Sequence, residues 1–278
     1  MKLLACPKCH QQLHLENKTL KCENNHCYDI SKRGYINLLL NPDKATNNPG
    51  DSKESLVARK AYLNKGYYDP ILNQVITCID EFKHQDDLSI LDLGCGEGYY
   101  TYQMKEGYYT QGLKKYFENS DIYGLDISKI AIDMATRYRK DVTWLVGNSK
   151  NIPILDHSLD FICALFTVVN QDELKRALKE DGYIVHVTAN NQHLIEIKEL
   201  IYDEIKVKSD KYIRLDFNQV KSYDFKEKVH ISNREDALNL LMMTPHYYHI
   251  KKEKRGVLDT LQGLDITIDI KVTVYALS

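Results

Sequence analysis

Two clusters of residues in this chain have types and spacings that suit chemistry. The first is Cys6-Pro-Lys-Cys9, followed after twelve residues by Cys22 and then by His26-Cys27. Paired thiolates two residues apart, with further Cys and His ligands downstream, can close a tetrahedron round zinc. Such a four-ligand site leaves no open position, so the metal is structural rather than catalytic. Cys6, Cys9, Cys22 and His26 have the best spacing; Cys27 competes for the fourth place, and His10 and His14 lie in the first knuckle with poorer spacing. The second cluster is Leu91-Asp92-Leu93-Gly94-Cys95-Gly96-Glu97-Gly98-Tyr99-Tyr100. Its glycines allow a tight turn and a close backbone approach to a ligand. Gly124-Leu125-Asp126 ends a second strand in a carboxylate that can accept both hydroxyls of a ribose. The Gly-x-Gly-x-Gly spacing differs from the dinucleotide fingerprint, which wants a small residue where Tyr99 stands.

Alternating strands and helices must position that loop. Strands are expected at Leu88–Leu93, Asp121–Leu125, Val142–Val146, Leu159–Phe166 and Gly182–Thr188, with helices at Gly98–Phe117, Ser128–Lys140 and Asp172–Glu180 between them. This rhythm predicts a parallel sheet covered by helices on both faces. Upstream, a helix is expected at Ser55–Asn64, and Asp69-Pro70 reads as the N-cap and first turn of a helix to Lys83. Downstream, helices are expected at Gln192–Ile205 and Asn233–Met242, the latter capped. Ile266, Ile268, Ile270, Val272 and Val274 alternate with polar residues as in a half-buried antiparallel strand. Residues 40–55 are nearly devoid of apolar side chains and read as a linker.

The 278 residues are 43% hydrophobic, enough for a sizeable core. No apolar run approaches the roughly 18 residues of a membrane helix. An odd count of seven cysteines argues against a secreted disulfide framework, so a soluble, cytoplasmic protein with reduced or metal-bound thiols is expected. Cys78, Cys95 and Cys163 read as packing residues. The net charge of −2 conceals an asymmetry. Residues 1–65 carry 11 Lys/Arg against 6 Asp/Glu, a net of +5, and the rest carry 26 against 33, a net of −7. A basic head that includes Lys2, Lys8, Lys18, Lys21, Lys32 and Arg33 suits phosphates, with Tyr28 and Tyr35 as stacking candidates.

The glycine loop and the strand-ending Asp126 resemble class I S-adenosylmethionine-dependent methyltransferases. The resemblance sharpens along the chain: Cys6-Pro-Lys-Cys9-His10-Gln11, Tyr35-Ile36-Asn37-Leu38-Leu39, Pro49-Gly50-Asp51-Ser52, Ala58-Arg59 with Tyr62-Leu63, Gly66-Tyr67-Tyr68-Asp69-Pro70, Leu91–Thr101, Gly124–Lys129 with Ala131, His193-Leu194, Lys198–Tyr202 and Met243-Thr244-Pro245. Together these are similar to the zinc-containing 23S rRNA guanine-N1 methyltransferases of the RlmA type.

That resemblance implies a Rossmann-like α/β class I fold, a parallel sheet with an antiparallel C-terminal strand, behind a small zinc ribbon. It implies a ribbon for RNA recognition at 1–39, a linker and helix at 40–66 and a methyltransferase domain at 67–278. The implied reaction moves a methyl group from S-adenosylmethionine to N1 of a guanine in a 23S rRNA hairpin loop. A homodimer and a structural Zn²⁺ are implied as well, and one branch of the family is linked to macrolide resistance. The implied cofactor positions are Tyr68, Asp92, Gly94, Gly96, Glu97, Gly98, Asp126, Ile127, Asn148, Ser149 and His193, with Asn148 and Ser149 beside the adenine. Phe166-Thr167-Val168-Val169-Asn170, on the acceptor side, and Lys179-Glu180-Asp181-Gly182 depart from the family pattern. Two alternatives compete: a small-molecule methyltransferase, disfavoured by the basic zinc head, and a non-catalytic zinc-ribbon RNA-binding protein, disfavoured by the intact glycine loop.

Overall fold

A computed structural model describes residues 1–40, 49–106, 119–205, 215–254, 256 and 262–277. The head folds as a three-stranded antiparallel sheet of β1 (His14–Glu16), β2 (Thr19–Lys21) and β3 (Cys27–Asp29). The main sheet contains β4 (Ile36–Asn37), β5 (Ser89–Leu93), β6 (Asp121–Asp126), β7 (Thr143–Val146), β8 (Leu159–Leu165), β9 (Leu178–Ala189), β10 (Asn218–Ile231) and β11 (Leu264–Ala276). Their spatial order is β10-β11-β9-β8-β5-β6-β7-β4. Pairing is parallel from β4 through β9, and β11 runs antiparallel to both β9 and β10.

Seven α-helices are described: α1 (Lys53–Leu63), α2 (Asp69–Phe82), α3 (Tyr99–Glu106), α4 (Lys129–Ala135), α5 (Gln171–Ala177), α6 (Ile195–Ile201) and α7 (Arg234–Met242). The expected alternation is present, with altered ends. The helix expected at Gly98–Phe117 is described only to Glu106; residues 107–117 and linker residues 41–48 lie outside the described set. The helix at Ser128–Lys140 stops at Ala135, because Ser128 caps its start and Thr136 closes its last turn. Asp69 is not a cap: α2 starts on it with Pro70 in the first turn, and its carboxylate accepts from the Tyr99 hydroxyl at 2.7 Å. Lys179 and Glu180, placed in a helix by the sequence, begin β9 instead. The strand β10 was absent from the sequence reading altogether. Its polar residues face solvent as an edge strand, so it carries no apolar run, although Tyr223, Phe225, Val229 and Ile231 alternate along it.

The sheet divides the core in two. One face buries Ile90, Ile122, Trp144, Phe161, Val185 and Ile268 against the apolar stripe of α2 and its neighbours. The other buries Leu91, Leu93, Tyr123, Leu125 and Ile162 in a cluster that includes Leu4, Leu13 and Leu20 of the head. A ribbon too short to bury a core of its own therefore shares the body's. Backbone bonds fix the contact: Ala5 N–H to Pro153 at 3.0 Å, Leu155 N–H to Leu3 at 2.9 Å and Leu38 N–H to Val146 at 2.8 Å.

Candidate cofactor cleft and zinc site

In the head, the Nδ1 of His26 lies 3.5 Å from the sulfur of each of Cys6, Cys9 and Cys22, and the Cys9 and Cys22 sulfurs are 3.7 Å apart. All four ligand atoms lie within 4.8 Å of one another. A tetrahedral zinc with bonds of about 2.3 Å to sulfur and about 2.0 Å to nitrogen spaces its ligands by roughly 3.5–3.8 Å, so the site fits that ion. Cys27 is exposed and donates to the Asn25 carbonyl, and neither His10 nor His14 joins the cluster. Among the described residues, His26 and not Cys27 completes the four-atom cluster. Tyr28 turns its hydroxyl to the Cys6 sulfur at 3.3 Å and Tyr35 is buried, so neither ring is a stacking surface. Arg33 pairs with Asp133 of α4 at 3.0 Å, tying head to body.

The chain lays β5, β6 and β7 to one side and then returns to place β8 on the other side of β5. A cleft of about 1860 Å³ opens beyond the carboxyl ends of these strands, the usual ligand position in such sheets. Tyr68, Asp92, Gly94, Gly96, Glu97, Asp126, Ile127, Asn148, Ser149 and His193 all line it. Gly98 does not; a Cβ there would stand 2.7 Å from both Ala135 and Trp144, so this glycine serves helix packing. Gly94 and Gly96 have φ of +74° and +57°, the left-handed region that glycine tolerates best. A Cβ on Gly94 would run into the Thr167 side chain.

Asp126 receives the Gly96 N–H at 3.0 Å on one carboxylate oxygen and the Ser128 N–H at 2.7 Å on the other, which locks the loop to the end of β6. Asp92 lies beneath the loop and accepts from the Thr101 hydroxyl. Burial pushes Asp92 up to about 7, against the pull of that bond. Burial likewise raises Glu97 to about 7, against the nearby Arg59 charge, and it raises Asp126 too. Among the described residues, Glu97 Oε1 and the Tyr100 hydroxyl are buried with no hydrogen-bond partner. A glycine cradle, three clustered acids and polar atoms left unpaired suit a polar ligand with cationic character.

On the far wall, burial depresses the His193 pKa to about 4, so the ring is neutral at physiological pH. Its Nδ1 accepts the Asp269 backbone N–H at 3.3 Å, which leaves the ring proton on Nε2, 3.4 Å from the Tyr68 hydroxyl. His193 thus presents a donor to the cleft rather than a lone pair. Two neighbours that the sequence pattern marks without a cofactor role join this site. Phe166 has φ +54°, is 43% exposed and stacks on His193 with centroids 5.8 Å apart. Arg59 of α1 reaches the glycine loop from outside the sheet. The atypical Phe166–Asn170 segment signalled the first, and the quoted Ala58-Arg59 pair was the only trace of the second.

Residues 4–45 match the family described as RlmA, N-terminal, and residues 84–231 match the family described as Methyltransferase domain. A putative 23S rRNA (guanine-N(1)-)-methyltransferase of Bacillus subtilis (strain 168) is 27% identical over 98% of this chain and 96% of its own length. A 23S rRNA (guanine(748)-N(1))-methyltransferase of Streptomyces fradiae is 28% identical over 72% of this chain and 68% of its own. Among solved structures, a putative methyltransferase from Bacillus halodurans C-125 is 11% identical, covers 74% of this chain and 99% of its own, and superposes with a TM-score of 0.49.

Proposed function

The chain belongs to the methyltransferase-domain family, and from that premise we propose that it transfers a methyl group from S-adenosylmethionine to N1 of a guanine in 23S rRNA. The observation that carries this reading is the union in one chain of a zinc ribbon with the RlmA N-terminal pattern, hydrogen-bonded to the body, and a cleft lined by the glycine loop. Two relatives carry that rRNA activity in their names, the Bacillus subtilis one as putative.

The cofactor supplies a methyl group already activated on a sulfonium, so the protein's task is alignment. Gly94 and Gly96 give the close floor, and Asp126 offers its remaining lone pairs to the ribose hydroxyls. Asn148 and Ser149, which line the cleft on the loop that follows β7, would hold the adenine. Tyr68 and His193 form the wall beside the donor. Because His193 carries its proton on Nε2, it orients Tyr68 and a bound ligand rather than accepting the guanine N1 proton.

In the same reading, residues 1–39 recognise RNA, residues 40–66 are a linker and helix, and residues 67–278 carry the reaction. Exposed Lys2, Lys8, Lys18 and Lys32 supply phosphate contacts. The setting is the cytoplasm and the assembly a homodimer, the latter testable by light scattering. No described helix is long and apolar enough to cross a membrane. The function itself is tested by incubating the protein with labelled S-adenosylmethionine and unmethylated 23S rRNA, then digesting to nucleosides. Label in N1-methylguanosine is expected; label in another nucleoside, or none, would refute the assignment.

A further inference from the structure

A cofactor whose amino-acid end is a zwitterion sets the cleft a problem. Its α-carboxylate must enter a space already lined by the carboxylates of Asp92, Glu97 and Asp126. Uncompensated like charges at such range oppose binding, so a cation is needed at that end. Of the Lys side chains that line the cleft, Lys198 donates to the Asn191 carbonyl at 3.1 Å and Lys271 faces Asp224 at 3.6 Å on the antiparallel strands; neither is recorded at the glycine loop.

Arg59 is placed differently. It projects from α1, whose N-cap is Ser52, and the Ser52 hydroxyl also meets the Tyr248 hydroxyl at 3.1 Å, which anchors the helix over the cleft. Its Nη2 holds Asp51 at 2.6 Å and approaches the Met243 carbonyl at 3.4 Å. Its Nη1 lies over Gly96, 3.1 Å from where a Cβ would stand. Absence of a side chain at Gly96 is therefore what admits the guanidinium to the loop. Beside it, Glu97 Oε1 is buried with no partner among the described residues. A guanidinium next to an unsatisfied acid is the charge pattern that complements a zwitterion.

We propose that Arg59 binds the α-carboxylate of S-adenosylmethionine. A planar guanidinium fork matches a carboxylate better than it matches the ribose or the adenine. The half-exposed Asp51 holds Arg59 in place while the site is open. The helix outside the matched methyltransferase segment thus supplies part of the cofactor site, and the inference rests on S-adenosylmethionine being the cofactor.

Calorimetric titration with two ligands tests it: S-adenosylmethionine, and its decarboxylated form, which keeps adenosine, sulfonium and ammonium. Arg59→Ala should weaken S-adenosylmethionine about tenfold or more, the loss of one charge-assisted hydrogen bond, and leave the decarboxylated ligand within about twofold. Arg59→Lys, which keeps the charge and loses the fork, should fall between and guards against a folding defect in the alanine variant. Equal loss for both ligands, or no loss for either, would overturn the proposal. Wild-type protein that binds neither ligand would overturn the cofactor reading and this proposal with it.

Discussion

Asp92 and Glu97 both take up protons more readily in the folded cleft than in an unfolded chain, since burial raises each to about 7. Their contribution favours the fold at acid pH and is lost as pH rises through 7. The cofactor, with two positive groups and one negative, prefers the ionised acids. S-adenosylmethionine should therefore bind more tightly at pH 8 than at pH 6 and release protons on binding. Calorimetry in two buffers of different ionisation enthalpy measures that release; pH-independent affinity would contradict the picture. Phe166 bears on the other substrate. A bulky residue at positive φ is strained, and strain of this kind gathers at functional sites. Its exposed ring, backed by His193, is a surface on which a planar base can stack. Phe166→Ala should lower methyl transfer to rRNA by roughly fivefold to 150-fold, the span of about 1–3 kcal/mol for one base–aromatic stack. Cofactor affinity should hold, and Phe166→Tyr should restore transfer. At this scale the zinc ligands were legible from spacing alone except for the fourth. The choice between His26 and Cys27 turns on which side chain folds inward, and two adjacent residues look alike in sequence.

The elements read well where they are buried on both sides and poorly where they are not. β5, β6, β7 and β8 announced themselves as short apolar runs because helices, or the ribbon, cover each face. β10 hid because an edge strand keeps Ser222, Asp224, Lys226 and Lys228 toward water, and only alternate positions bear apolar weight. The start of β9 was misread for a related reason: Lys179 and Glu180 are good helix formers, but Lys179 pairs with Asp160 at 2.6 Å across the sheet. The head was the larger surprise. Its sequence suggests a separable metal module, whereas Leu4, Leu13 and Leu20 join the body's core and the Pro7 carbonyl accepts from Asn151 at 2.8 Å, beside Asn148 and Ser149. Loss of zinc should thus be felt beyond the ribbon. Cys9→Ser, or chelation, should lower the melting temperature of the whole chain and expose apolar surface to a hydrophobic dye. An unchanged main transition beside a separately lost ribbon would show the two parts to be independent.

Across the whole molecule, charge and topology assign the two ends different work. Residues 1–65, which hold the ribbon, the linker and α1, carry a net of +5 against −7 for the rest, and the same loop that receives the zinc knuckle lines the cleft. Attraction of RNA phosphates to the head should make binding to 23S rRNA fall steeply with salt, while cofactor binding changes little. The alternation of strands and helices through β5–β8 and the glycine loop are readable from the sequence, since both follow from local patterns, whereas the spatial order of the strands is not. The closing of the cleft by α1 and by the Met243–Tyr248 segment was not, because it joins residues nearly two hundred positions apart. The central claim is the identity of the methylated atom. Mass-spectrometric nucleoside mapping of 23S rRNA from cells with and without this protein tests it most directly. Loss of a single N1-methylguanosine in the cells that lack it is the predicted result. An unchanged map would contradict the account.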